Sequence, residues 1–119
     1  WLFLLLDSEK DIDSVTAVSG SSPAYFFFIF EIMQRVAEDF GLSPRAAKNL
    51  ILRTAKGSVE MALNSDSEVS ELRRQVTSPK GTTEQAIASL QSGNLDQLIH
   101  QAMKAALKRA QELSEEYGQ

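Results

Sequence analysis

Ser78, Gly81, Thr82 and Thr83 stand close together in the run VTSPKGTTEQAIASL at 76–90, directly ahead of a segment with helical spacing. The first four N–H groups of a helix have no partner inside it. The aligned peptide dipoles add partial positive charge at that end, so a carboxylate or phosphate fits there. Pro79 removes one donor and stiffens the approach. Gly81 lets the backbone come close to a ligand, and Thr82 and Thr83 bring hydroxyls to the helix start. The chemistry these residues support is the binding of an anion. A competing reading needs no ligand: Thr82 or Thr83 caps its own helix through its side-chain oxygen.

Other reactive groups are sparse. The chain has no cysteine, and His100 is its single imidazole. Disulfides and thiolate metal sites are therefore excluded, and the carboxylates are spread along the chain rather than set at ligand spacing. No metal is expected, and His100 is read as structural. The lack of cysteine suits a reducing compartment. Twelve basic against sixteen acidic residues give a net charge of −4, which argues against nucleic acid or an anionic membrane as the main partner. The apolar runs Trp1–Leu6 and Ala24–Phe30 are far shorter than the roughly 20 residues a membrane span requires. Trp1–Leu6 also lacks the basic flank of a signal peptide. Without an initiator methionine, the chain reads as a piece of something longer.

The elements that must position the loop follow from caps and spacing, and 119 residues fit one domain. Trp1–Leu6 suggests a buried strand. Ser8-Glu9-Lys10-Asp11 resembles a capping box and predicts a short helix toward Val18, broken by SGSS at 19–22. Ser22 then suits an N-cap with Pro23 at the first helical position, and this helix is expected to run to about Phe40, where Gly41 ends it. Ser43-Pro44 repeats the start signal for a helix reaching about Leu63. Glu68–Val76 and Thr83–Gln91 read as short helices on either side of the loop, the second closed by Gly93. From Asn94 to Tyr117 one apolar stripe persists through Leu95, Leu98, Ile99, Ala102, Met103, Ala106, Ala110, Leu113 and Tyr117. The charged positions Lys104, Lys108, Arg109, Glu112, Glu115 and Glu116 form its polar face, and Glu31 is placed to pair with Arg35. No strand-like alternation competes, so the fold class is all-α.

One helix does not suit an ordinary monomer. Tyr25, Phe26, Phe27, Phe28, Ile29, Phe30, Ile32 and Met33 are apolar around its whole circumference, leaving no face for water. A small domain has too little interior to surround such a helix, and a second copy is expected to cover part of it. The alternative is a monomer with this helix at its centre.

SGSSPAYFFFIFE at 19–31 and VTSPKGTTEQAIASL at 76–90 together closely resemble the carboxyl-terminal domain of pyrroline-5-carboxylate reductase. The approach EKDIDSVTAV at 9–18, the SPRAAKNL start at 43–50 and the KRAQEL ending at 108–113 extend the resemblance over nearly all the chain. The resemblance implies a helical bundle that interlocks with a second copy, of the kind found in the C-terminal part of 6-phosphogluconate dehydrogenase. It implies a cytoplasmic enzyme that reduces 1-pyrroline-5-carboxylate to L-proline with NADPH or NADH, the last step of proline biosynthesis. The dinucleotide would be bound mainly by an N-terminal Rossmann domain that this chain does not contain, since no glycine fingerprint of that fold occurs in it. Residues 1–7 would be the end of that domain or a linker, and residues 8–119 the dimerisation and substrate-binding domain, inactive alone. Carried over by motif, amides around Gly81, Thr82 and Thr83 would hold the substrate carboxylate with help from the Ser78 hydroxyl, and Thr83 would face the ring nitrogen. Gln75 would touch the cofactor. Catalysis would need nothing beyond positioning by Thr83.

The chain departs from the family pattern at Ser22, where Gly is frequent, and at Lys80, where Gly, Ala or Asn is usual. The competing classes are a non-catalytic helical dimerisation module, a DNA-binding helix over Ser43–Gly57 carrying Arg45, Lys48, Arg53 and Lys56, and the dimer domain of another NAD(P)-dependent dehydrogenase.

Overall fold

The computed structural model describes residues 9–117. Among them every regular element is helical: α1 (Glu9–Val15), a π-helical segment (Thr16–Gly20), α2 (Ser22–Asp39), α3 (Pro44–Leu63), α4 (Val69–Gln75), α5 (Thr82–Ser92) and α6 (Leu95–Glu116). The all-α expectation holds. The expected cap at Ser8, the strand at Trp1–Leu6 and the domain boundary after residue 7 lie outside the described residues.

SGSS does not break the helix. Thr16–Gly20 widens into a π turn, and Ser21 retains helical dihedrals (φ −96°, ψ −27°) before α2 begins at Ser22. The Ser19 hydroxyl donates to the Val15 carbonyl at 2.9 Å, giving a partner to a backbone group at the widened turn. Serine thus supports the distortion rather than ending the helix. Ser22 consequently lies inside α2 instead of capping it. The consequence is a helical run from Ile12 to Asp39, 28 residues long, that by length and composition alone could cross a membrane. The uninterrupted apolar runs of the sequence are too short to suggest this, because the run from Ile12 includes polar residues between its apolar stretches. The same run carries Ser19, Gly20, Ser21 and Ser22 near its middle and Asp13, Glu31, Arg35, Glu38 and Asp39 besides, a pattern costly in hydrocarbon.

The chain divides into two compact units. The first comprises residues 1–27 and 94–119. In it α6 packs against α1 and the π segment, burying Ala17 to 4% exposure. The Ser114 hydroxyl donates to Asp13 Oδ1 at 3.1 Å, joining α6 to α1. Met103, Ala106, Leu107, Ala110 and Ser114 are the half-buried positions of α6. The N-terminal half of the predicted stripe has no such cover: Leu95 and Leu98 are exposed.

The second unit comprises residues 28–93. Helix α2 ends in a Schellman motif: the Leu42 N–H donates to the Ala37 carbonyl at 3.2 Å and the Gly41 N–H to Glu38 at 2.9 Å. Gly41 has φ +102°, a conformation that glycine adopts without steric cost. Ser43 caps α3 by accepting from the Ala46 N–H at 3.2 Å, with Pro44 at the first helical position, as its sequence predicts. Ala47, one turn into α3, is wholly buried. Nearby, Phe30, Met33 and Ala37 of α2 and Leu50, Ile51 and Thr54 of α3 line an open apolar groove.

Among the described residues only Ala17 and Ala47 are buried apolar side chains. Helix α2 buries none of its residues. Phe26, Phe27 and Phe28 are 57%, 68% and 60% exposed, and Tyr25 and Phe30 are half-buried. Among the described residues, nothing encloses the rings of Phe26, Phe27 and Phe28.

Candidate functional site

The loop between α4 and α5 is built by a tight turn. Pro79, whose ring fixes φ near −65°, is followed by Lys80 at φ +61°, and the Gly81 N–H donates back to the Ser78 carbonyl at 3.1 Å. Proline second and a positive φ third is the type II pattern, which favours Gly or Asn at the third place. Lys80 therefore holds a place in the turn that a residue without a Cβ would occupy at lower cost. Gly81 itself has an ordinary extended backbone (φ −92°, ψ −178°). Its lack of a side chain matters for closeness instead: a Cβ there would lie 3.2 Å from the Ser78 carbonyl oxygen.

Helix α5 starts at Thr82, one residue earlier than predicted, with Gly81 as N-cap and no side-chain cap bond. Neither Thr82 nor Thr83 caps the helix, so the competing reading of these threonines fails. The first intrahelical bond is Gln85 N–H to the Gly81 carbonyl at 3.4 Å. Glu84 reaches back over the turn, its Oε1 accepting from the Lys80 N–H at 3.2 Å. The amides therefore sort into two groups. Those of Lys80 and Gly81 are engaged within the loop. Those of Thr82, Thr83 and Glu84 meet no acceptor among the described residues. The expectation that Gly81 offers its amide to a ligand is corrected accordingly, because that N–H closes the turn.

Ser78, Thr82 and Thr83 are exposed, and Gly81 is half-buried. Three outward amides, the positive end of α5 and the Ser78, Thr82 and Thr83 hydroxyls can together receive one carboxylate. Gln75 is the last residue of α4 and is exposed. The Thr77 hydroxyl donates to the Arg73 carbonyl at 2.6 Å, tying the loop to the end of α4. Sequence reasoning missed Glu84. Its signal was present, since a Glu three residues after an N-cap is the second half of a capping box.

Among the described residues no group of three or more His, Cys, Asp or Glu could hold a metal, and His100 is exposed on α6. Glu31 and Arg35 make no ion pair with each other; among the described residues the pairs are the exposed Lys56–Glu60, Arg74–Glu71 and Arg109 with Glu112 and Glu116. Gly93 ends α5 with φ −81°, and the left-handed residue at that junction is Asn94, φ +61°. Asparagine tolerates this conformation. The basic residues of Ser43–Gly57 are all exposed, but they lie on one uninterrupted helix of 20 residues.

Residues 9–113 match the family described as pyrroline-5-carboxylate reductase dimerisation. The chain belongs to the pyrroline-5-carboxylate reductase dimerisation family. It is 53% identical over 116 residues to the pyrroline-5-carboxylate reductase of Pseudomonas aeruginosa, covering 98% of this chain and 42% of that protein. With pyrroline-5-carboxylate reductase 2 of Bacillus subtilis it shares 38% identity over 94% of its length and 40% of the relative's. The solved pyrroline-5-carboxylate reductase of Coxiella burnetii superposes with a TM-score of 0.88 at 48% identity, over 91% of this chain and 40% of that one. The Plasmodium falciparum pyrroline carboxylate reductase, solved with NADP bound, gives 0.84 at 38% identity, over 87% and 40%. The chain thus spans about two fifths of the length of these relatives.

Proposed function

We propose that this chain is the dimerisation and substrate-binding part of an enzyme that reduces 1-pyrroline-5-carboxylate to L-proline, the closing step of proline biosynthesis. The observation that carries the reading is the α4–α5 loop: a turn that engages its own first two amides and leaves those of Thr82, Thr83 and Glu84 for an anion. The match to reductases along nearly the whole chain supports it. In this reading the substrate carboxylate lies on the Thr82 and Thr83 amides and the Ser78 hydroxyl, with Gly81 allowing the close approach. The Thr83 hydroxyl faces the ring nitrogen, where it orients the ring by donating to a neutral nitrogen or accepting from a protonated one. Placement of this kind supplies much of the rate when the cofactor carries the chemistry.

The cofactor is NADPH or NADH, whose nicotinamide supplies the hydride. The residues described here fit it poorly as a sole host, because the chain holds no strand–turn–helix fingerprint for a pyrophosphate. A Rossmann domain ahead of residue 8 would bind it, with Gln75 as this chain's contact, and the chain alone would be inactive. The partner is a second copy: Tyr25, Phe26, Phe27, Phe28, Ile29, Phe30, Ile32 and Met33 form the shared surface of a homodimer in the cytoplasm. At about 200 Å² per ring, Phe26–Phe28 leave roughly 370 Å² of aromatic surface in water, on the order of 9 kcal/mol if covered.

In the enzyme joined to its dinucleotide-binding domain, Thr83→Ala should reduce kcat/KM for 1-pyrroline-5-carboxylate at least tenfold while the Kd for NADPH changes less than twofold. Unchanged kinetics would remove the Thr83 side chain from the site.

A further inference from the structure

We propose that Glu84 is a positioning residue for the carboxylate cradle. By accepting the Lys80 N–H it holds the loop in its type II turn and keeps its own carboxylate away from the Thr82 and Thr83 amides. The inference rests on the substrate-loop reading above.

The turn around Pro79 and Lys80 has two close-lying forms. They differ by a flip of the Pro79–Lys80 peptide: type I places the third residue at negative φ, type II at positive φ. For lysine the type I form is intrinsically favoured, since its Cβ crowds the backbone at positive φ. Yet Lys80 has φ +61°. Its N–H, carried on the peptide that would flip, donates to Glu84 Oε1 at 3.2 Å. That bond exists in only one of the two forms, and it is charge-assisted. The Glu84 carboxylate therefore selects the turn that lysine by itself disfavours.

The same bond decides where the carboxylate goes. Glu84 is the third residue of α5, the place from which a capping box sends its acid back to the N-cap N–H. Here the N-cap is Gly81, and its N–H already donates to the Ser78 carbonyl at 3.1 Å. Glu84 passes over it to Lys80. A Glu84 carboxylate released from Lys80 would be a tethered anion beside the free amides of Thr82 and Thr83, competing with the substrate carboxylate at high local concentration. Holding the turn and clearing the cradle are thus one interaction.

Position 80 supplies the control. Glycine prefers the type II turn without help, so Lys80→Gly should make the turn independent of Glu84. In the enzyme joined to its dinucleotide-binding domain, Glu84→Ala should raise the KM for 1-pyrroline-5-carboxylate about tenfold, with kcat and the KM for NADPH within twofold. Glu84→Gln keeps an acceptor oxygen and should remain within threefold of the parent. In a Lys80→Gly background, Glu84→Ala should change the substrate KM less than twofold. The proposal is overturned by an unchanged KM in Glu84→Ala, by an effect of equal size in the Gly background, or by Glu84→Gln behaving as Glu84→Ala. Should Glu84→Ala fail to fold, Glu84→Gln and the double variant still decide the matter. Failure of the underlying reading has a separate signature: competitive inhibition by L-proline no stronger than by pyrrolidine, which lacks the carboxylate, in the parent enzyme.

Discussion

Lys80 and Gly81 are adjacent, and their constraints are different in kind. Lys80 occupies a left-handed conformation that costs an L-residue roughly 1–2 kcal/mol. Replacing it with glycine should raise the unfolding free energy by about 1 kcal/mol in chemical denaturation, with the slope m unchanged. Gly81 has no unusual dihedral, but a methyl group there would press on the Ser78 carbonyl oxygen at 3.2 Å. Gly81→Ala should therefore open the turn, losing about 1 kcal/mol and weakening L-proline binding in the whole enzyme by isothermal titration. The loop was legible in the sequence as a turn running into a helix start, because hydroxyls, proline and glycine sit ahead of a helical stretch. Which amides it offers was not legible, because that depends on the direction in which each N–H points. Only the turn geometry showed that the Gly81 amide is consumed and the Thr82 and Thr83 amides are not.

Helix boundaries were most readable where a cap is chemically specific. Ser43-Pro44 and Gly41 appear where their side chains, or lack of one, place them. Ser43→Ala should cost about 1 kcal/mol, the usual loss for an N-cap that accepts a backbone hydrogen bond, as measured by thermal unfolding followed by circular dichroism. SGSS misled the reading for a physical reason: serine favours breaks in isolation, but it also bonds carbonyls of the preceding turn. The Ser19–Val15 bond sustains a π turn that local propensity could not distinguish from a break. At Ala47 the element and its packing meet. It is wholly buried early in α3, and Ala47→Leu should overpack that position by about 1–3 kcal/mol.

At the scale of the molecule the governing fact is how little apolar surface the chain covers for itself. Ala17 and Ala47 are the buried apolar side chains among the described residues, and in the proposed homodimer a second copy covers the aromatic run of α2. A second copy gives three predictions. Sedimentation at micromolar concentration should show a dimer with no detergent present, and the thermal midpoint should rise with protein concentration. Phe27→Asp, at the most exposed of the three consecutive rings, should shift the population toward monomer at least a hundredfold in the dissociation constant. A run that lay in lipid would instead need detergent to remain in solution.

The order of side chains along the chain was enough to determine that the protein is helical and that Tyr25–Phe30 of its second helix form an unbroken apolar run, and to single out the 76–90 loop as a candidate anion site. Periodicity, caps and composition are local properties, and a sequence carries them directly. What the tertiary structure alone decided was the disposition of groups that face one another: the continuous helix through SGSS, the exposure of its aromatic rings, and which loop amides are engaged within the chain. Each of these depends on orientation and on the proximity of residues across a turn or between helices, and neither is written in residue order.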